Sequence, residues 1–115
     1  LTAKLYYDLG TYTGNASYTA DMRINGNNFL ACITTAQNAL KDYPYTSMRE
    51  DISILLLRAK YKLGSESVLE KKEERMREAI DEYYSFKNEF PESKYMKEVE
   101  AIYKDASKYV KELNE

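Results

Sequence analysis

Apolar side chains recur at helical spacing in the second half of the chain. Between residues 78 and 90 they fall at i, i+4, i+7 and i+11, at Ala79, Tyr83, Phe86 and Phe90. A period near 3.6 residues predicts an amphipathic helix with one buried face. Pro91 is expected to end this helix, because proline disfavours the helical conformation in the residue before it.

A second apolar stripe follows the proline at the same spacing. Its members are Tyr95, Val99, Ile102, Ala106, Tyr109 and Leu113. The stripe predicts another helix over residues 93–113. Two helices joined by a few residues hide both stripes by packing against each other.

The first half of the chain repeats this organisation with one interruption. Residues 1–12 have a helical spacing of apolar side chains. Residues 14–28 are rich in Asn, Gly, Ser and Thr and predict a long loop, which has room for one helical turn around residues 18–22. A helix is expected over 28–42, with Asn27 or Asn28 as its cap. Its stripe consists of Phe29, Ile33, Ala36 and Leu40.

The next predicted helix, over residues 47–63, is apolar on most sides. We therefore expect it at the centre of the fold, covered from both flanks. Ser47 and Glu50 match the capping box S-x-x-E, as do Ser67 and Glu70 before a further helix that extends to residue 90. Gly64 is expected just beyond the C-terminus of the central helix. The mixed charges of residues 71–78 are interpreted as a solvated face.

The two proline breaks align without a gap at an offset of 47 residues, which predicts stacked helical hairpins. Ala79, Tyr83 and Pro91 fit the tetratricopeptide pattern A-x3-F-x7-P, and Cys32 and Pro44 keep the same spacing. The sequence thus predicts an all-α, tetratricopeptide-like domain over 1–115 with about five helices. Its two irregular hairpins would cover 1–44 and 47–91, and a capping helix would cover 93–113.

Composition favours binding over catalysis. The 115 residues carry a net charge of −2 and include no histidine, which removes the commonest general base and metal ligand. A net charge of −2 does not favour binding of the chain as a whole to nucleic acid. We predict no catalytic, cofactor-binding or metal-binding residue, no cofactor, and a protein that is not an enzyme. The single cysteine, Cys32, is predicted to be a buried small side chain.

The chain contains twelve tyrosines, an unusually high number, and their role has two interpretations. Tyr83, Tyr95 and Tyr109 lie on the apolar stripes and are predicted in the core. Off-stripe tyrosines are candidates for exposure, at Tyr7, Tyr45, Tyr61, Tyr84 and Tyr103. They would either line a groove for a protein partner or serve only in packing.

Four segments carry a resemblance to a known family. AKLYYDLG (3–10), ALKDYP (39–44), AIDEYYSF (79–86) and FPESKY (90–95) resemble the BamD family of outer-membrane assembly lipoproteins, in its Bacteroides-type form. The likeness covers residues 6–106 and corresponds to the C-terminal half of a longer protein. It implies a non-catalytic scaffold at the periplasmic face of the outer membrane. Its implied partners are the barrel-forming core subunit and unfolded outer-membrane protein segments.

One departure from the family concerns its membrane anchor. The family's lipid-bearing N-terminal cysteine has no counterpart in this sequence, because Cys32 falls inside a predicted helix. Membrane contact is therefore expected only through an anchor outside this chain. The alternative is an unrelated tetratricopeptide adaptor module of a larger cytoplasmic or periplasmic protein.

Overall fold

The computed structural model describes Ala3, Lys4, Tyr7 and residues 19–110, with side chains described from residue 28 in the longer range. The part described is all-helical, as predicted. Its four helices are α1 (Thr19–Asp42), α2 (Arg49–Ser65), α3 (Leu69–Glu89) and α4 (Met96–Ser107). Ala3, Lys4 and Tyr7 are helical, in agreement with the helix predicted over 1–12, most of which lies outside the described residues.

Both aromatic–proline pairs end a helix, as the sequence predicts. The backbone N–H groups of Tyr43 and Phe90 donate to carbonyls four residues earlier, and those of Thr46 and Ser93 donate back to Tyr43 and Phe90. The Thr46 and Ser93 hydroxyls then accept from the N–H two residues ahead, at 3.2 and 3.0 Å. The two turns share this hydrogen-bond pattern at the 47-residue offset.

The loop predicted over 14–28, with room for one helical turn around residues 18–22, is wrong from Thr19 onward, because the continuous helix α1 begins there. Residues 14–18 lie outside the described part. Asn27 and Asn28 are inside the helix and are not its cap. Asn and Gly cost only about 0.5–1 kcal/mol each inside a helix. A helix already held by the buried side chains of Phe29 and Ala36 can extend through them.

Neither predicted capping box forms. The N-cap positions of α2 and α3 are Met48 and Val68, and neither makes a side-chain cap hydrogen bond. The Ser67 hydroxyl donates instead to the Leu63 carbonyl at 2.5 Å and accepts from Arg75 at 2.6 Å. The competing bond to the preceding helix is a common alternative for serine. Helix α4 ends at Ser107, which is earlier than the predicted residue 113.

Helix α2 is central, as predicted. It packs against α1, α3 and α4. Every side chain from Ile52 to Leu57 is buried, including that of Ser53. On one side, α2 meets Phe29, Cys32 and Ala36 of α1. On the other side, its buried residues meet α3 and α4, through Tyr83, Phe86, Val99 and Ile102.

The sequence predicts Gly64 just beyond the C-terminus of α2. It lies instead in the last turn of this helix, where it is buried. A Cβ atom at this position would be 3.1 Å from the Met76 sulfur and 3.4 Å from the Met76 backbone nitrogen. The glycine therefore permits the close approach of α2 and α3.

Some residues of the apolar stripes are less buried than predicted. Phe90 is only half-buried, whereas Phe86 is 1% exposed. Tyr109 is 41% exposed, and Val110 is buried in its place. Tyr109 follows the end of α4, so the helical period that placed it on the stripe no longer applies. Leu113 lies outside the described residues.

The two phenylalanines at the end of α3 form a matched pair for a stability test. Phe86→Ala should lower the free energy of unfolding by about 3–5 kcal/mol, because it empties a fully buried site. Phe90→Ala should cost about half of that. Urea denaturation of both variants measures the difference, and equal costs would contradict this assignment of the core.

The close contact between Gly64 and Met76 predicts that position 64 tolerates only a small side chain. Gly64→Leu should destabilise the fold by about 2 kcal/mol through overpacking. Gly64→Ala should stay within about 1 kcal/mol of the wild type, because the gain in helix propensity offsets a small shift of the flexible methionine. Thermal denaturation measures both. Ser85→Leu, on the exposed side of α3, is the control and should have little effect. A harmless Gly64→Leu would rule out the close approach.

Candidate protein-binding groove

Polar side chains connect α2 to α4 along their length. Arg58 donates twice to the Glu98 carboxylate, with both distances 2.6 Å, and its guanidinium lies 5.3 Å from the centre of the Tyr95 ring. The hydrogen bond to Glu98 is the main cause of a raised pKa of Arg58. Two parallel N–H bonds to one carboxylate fix the geometry of both side chains.

Three further bonds repeat this connection. The Tyr61 hydroxyl donates to Asp105, and the Tyr95 hydroxyl donates to Asp51 at 2.9 Å. At the turn before α4, the Ser93 hydroxyl donates to Glu50 at 2.5 Å. In these pairs the residue numbers rise along α2 as they rise along residues 93–105. The bonds therefore fix the register between α2 and α4.

A cavity of about 250 Å³ opens beside these pairs. Its lining combines aromatic, aliphatic and charged side chains, from Tyr7, Arg58, Tyr61, Lys62, Glu98, Ala101 and Ile102. We call this surface the α2–α4 groove. It is smaller than the roughly 300–1,000 Å³ of small-molecule pockets. Its size suits one or two side chains of a longer segment.

A second aromatic cluster joins α3 to α4 elsewhere. The Tyr83 hydroxyl donates to Glu100 at 2.5 Å, and the Tyr83 ring stacks on Tyr103 with centroids 4.4 Å apart. Lys87 donates to the Glu100 carboxylate at 3.1 Å. The bond from Tyr83 is the main cause of a lowered pKa of Glu100, whereas burial raises the pKa of Tyr83. Tyr83 is buried, so this cluster holds the two helices together.

The tyrosines divide between the two interpretations. Tyr83 is in the core as predicted, but Tyr95 is half-buried. Tyr45 and Tyr84 are exposed, at 98% and 52%. Tyr7, Tyr61 and Tyr103 are half-buried, and only Tyr7 and Tyr61 of these line the α2–α4 groove.

Sequence reasoning missed the charged members of the groove. Arg58, Lys62 and Glu98, which line it, have no motif around them, and neither does Asp105, which bonds to Tyr61. A signal does exist, because the bonded pairs between α2 and residues 93–105 are 40, 43 or 44 residues apart. These separations are one or two helical turns less than the 47-residue offset between the two aromatic–proline pairs.

Three further features belong to the described part of the chain. Cys32 is buried, as predicted. No group of three Cys, Asp or Glu side chains could hold a metal ion among these residues. None of their helices is long and apolar enough to cross a membrane.

Comparison with known proteins adds no family assignment. No protein-family model matches the chain, and no curated protein matches it significantly.

The Tyr61–Asp105 bond predicts an alkaline loss of stability. Burial, followed by this bond, raises the pKa of Tyr61 to about 12. Tyrosine in an unfolded chain titrates near pH 10, so the stabilisation is complete below about pH 10 and is lost towards about pH 12. The difference in unfolding free energy between the wild type and Tyr61→Phe should therefore shrink over this interval. Urea denaturation at a series of pH values measures it, and a constant difference would contradict the assignment.

Proposed function

We propose that the chain is a non-catalytic protein-binding scaffold, built from tetratricopeptide-like hairpins, that takes a segment of another protein into the α2–α4 groove. The observation that carries the proposal is the groove itself. It has tyrosine and aliphatic walls, and two of its charged side chains, Arg58 and Glu98, are fixed by their bonds between α2 and α4. Such a site recognises side chains of a polypeptide without needing any reaction.

Contacts between helices support the hairpin arrangement. Arg49, at the start of α2, donates to Glu89 at the end of α3. Lys60, further along α2, pairs with Glu82, earlier in α3, at 3.0 Å. Positions thus rise along α2 as they fall along α3, which is typical of an antiparallel pair. The rising register between α2 and α4 suits equivalent helices of successive repeats.

A capping role for α4 has separate support. Its buried residues are confined to one stripe, Val99, Ile102 and Ala106. The 47-residue offset relates Ala101 and Lys104 of α4 to Ile54 and Leu57 of α2. The two α2 residues are buried against later helices, whereas Ala101 and Lys104 are exposed. The terminal helix of a repeat stack requires a polar outer face, because no further repeat covers it.

The mechanism is recognition by a pre-ordered surface. The rings of Tyr7 and Tyr61 offer rigid contact area, and Lys62 offers hydrogen-bond donors at the same cavity. Because Arg58 is already held by Glu98, little side-chain freedom is lost there on binding. Following the resemblance to the BamD family, the partners are unfolded outer-membrane protein segments and the barrel-forming core subunit, met at the periplasmic face of the outer membrane.

Binding of an unfolded outer-membrane β-barrel protein tests this proposal. Fluorescence titration of the folded chain, with the denatured barrel protein diluted from urea, should show saturable binding. Ala101→Trp should weaken binding at least about tenfold, because the indole fills a cavity that would hold only one or two partner side chains. Ser85→Trp, on the outer side of α3, is the matched control and should bind like the wild type.

Three results would overturn parts of the proposal. Equal binding by both tryptophan variants would remove the groove from the mechanism. Binding of peptides from an unbiased library, without binding of any barrel protein, would favour the unrelated adaptor. No binding of either would contradict a role as a protein scaffold.

A further inference from the structure

A row of lysines runs along the outer face of α4. Three exposed lysines, Lys97 and Lys104 of α4 and its C-cap residue Lys108, which pairs with Asp105 at 3.9 Å, fall within about 40° of one another around the helix axis. They lie opposite the buried stripe that contains Val99. Ala101 occupies the remaining position of this face, so no bulky side chain separates the ammonium groups. Lys97 and Lys104 form no ion pair with the described part of the chain.

A row of carboxylates runs along the outer face of α3. Glu70, Glu74, Glu78 and Asp81 are all exposed and recur at intervals of three or four residues. None of the four has an ion-pair partner among the side chains that the structure describes. Lys71 lies beside the first of them, and Arg77, between Glu74 and Asp81, is paired with Glu73 at 3.2 Å.

The two rows match in length and are opposite in sign. Lys97 and Lys108 are eleven residues apart, as are Glu70 and Asp81. At 1.5 Å per residue each row spans about 16 Å. We propose that a second copy of this chain docks here, with the lysine row of one copy lying along the carboxylate row of another.

Charge complementarity favours a second copy over an anionic membrane. The lysine row contains no large apolar side chain to insert among lipids. The carboxylates of neighbouring α3 and a net charge of −2 oppose approach to an anionic surface. A surface of opposite sign and equal length is present on the chain itself. Because exposed ion pairs contribute little individually, the association is weak, with a dissociation constant on the order of 1 mM.

Salt and charge reversal together test the proposal on the full chain. The apparent molecular mass from small-angle scattering should rise with protein concentration in about 20 mM NaCl. The rise should be lost in about 0.5 M NaCl, because the screening length falls to roughly 4 Å. The variant K97E/K104E/K108E should remain monomeric at low salt, and so should E74K/E78K/D81K.

The six-fold variant that combines both reversals is the decisive control. It restores opposite signs on the two rows and returns the net charge to −2, so it should associate like the wild type. Circular dichroism first establishes that each variant is folded. A monomeric wild type at low salt would overturn the proposal, as would self-association of either triple variant or a folded but monomeric six-fold variant. A wild type that stays monomeric but binds phosphatidylglycerol vesicles would assign the lysine row to a membrane instead.

Discussion

The structure depends on burying α2 on nearly all of its sides. Six consecutive side chains, from Ile52 to Leu57, are buried, although a helix packed on one neighbour hides only a stripe. Neighbours on several sides are therefore required, and α1, α3 and α4 supply them. This requirement also shapes the groove. Arg58 and Tyr61 follow the buried run, remain half-buried, and turn their polar groups to α4.

Small side chains make this burial geometrically possible. Ala36, Ala59, Ala79 and Ala106 are completely buried, and Gly64 meets Met76 at a distance that leaves little room for a Cβ atom. Close packing by small residues sets how near the helices come, but it does not select their register. The register between α2 and α4 comes from the polar pairs. Arg58 and Glu98 keep 29% and 41% of their side-chain surface exposed, so their bond adds specificity more than stability.

The helical class, the two breaks and most of the core could be predicted from the sequence, because apolar period and proline act locally. The burial of Phe29, Ile33 and Val99 could be predicted without knowing which residues they contact. Helix starts were less predictable. Ser67 had a capping partner in sequence, but the Leu63 carbonyl of the preceding helix competed for its hydroxyl. The groove was least predictable, because Glu98 and Asp105 acquire their roles only when α4 lies beside α2.

Each side of helix α4 makes different contacts. Ala101 lies at the boundary between the side that lines the groove and the side that carries the lysine row. The buried stripe of α4 completes the core, Glu98 lines the groove, and the lysine row faces outward. Ala101 lines the groove and also occupies the gap in the lysine row. A partner segment in the proposed groove would therefore end next to the surface proposed for a second copy. A steric overlap of the two ligands at this boundary would lower the affinity for both, and by linkage the effect is equal in both directions. Weak self-association would then be a competitor that a bound partner displaces, which ties the two proposed surfaces to the same short helix.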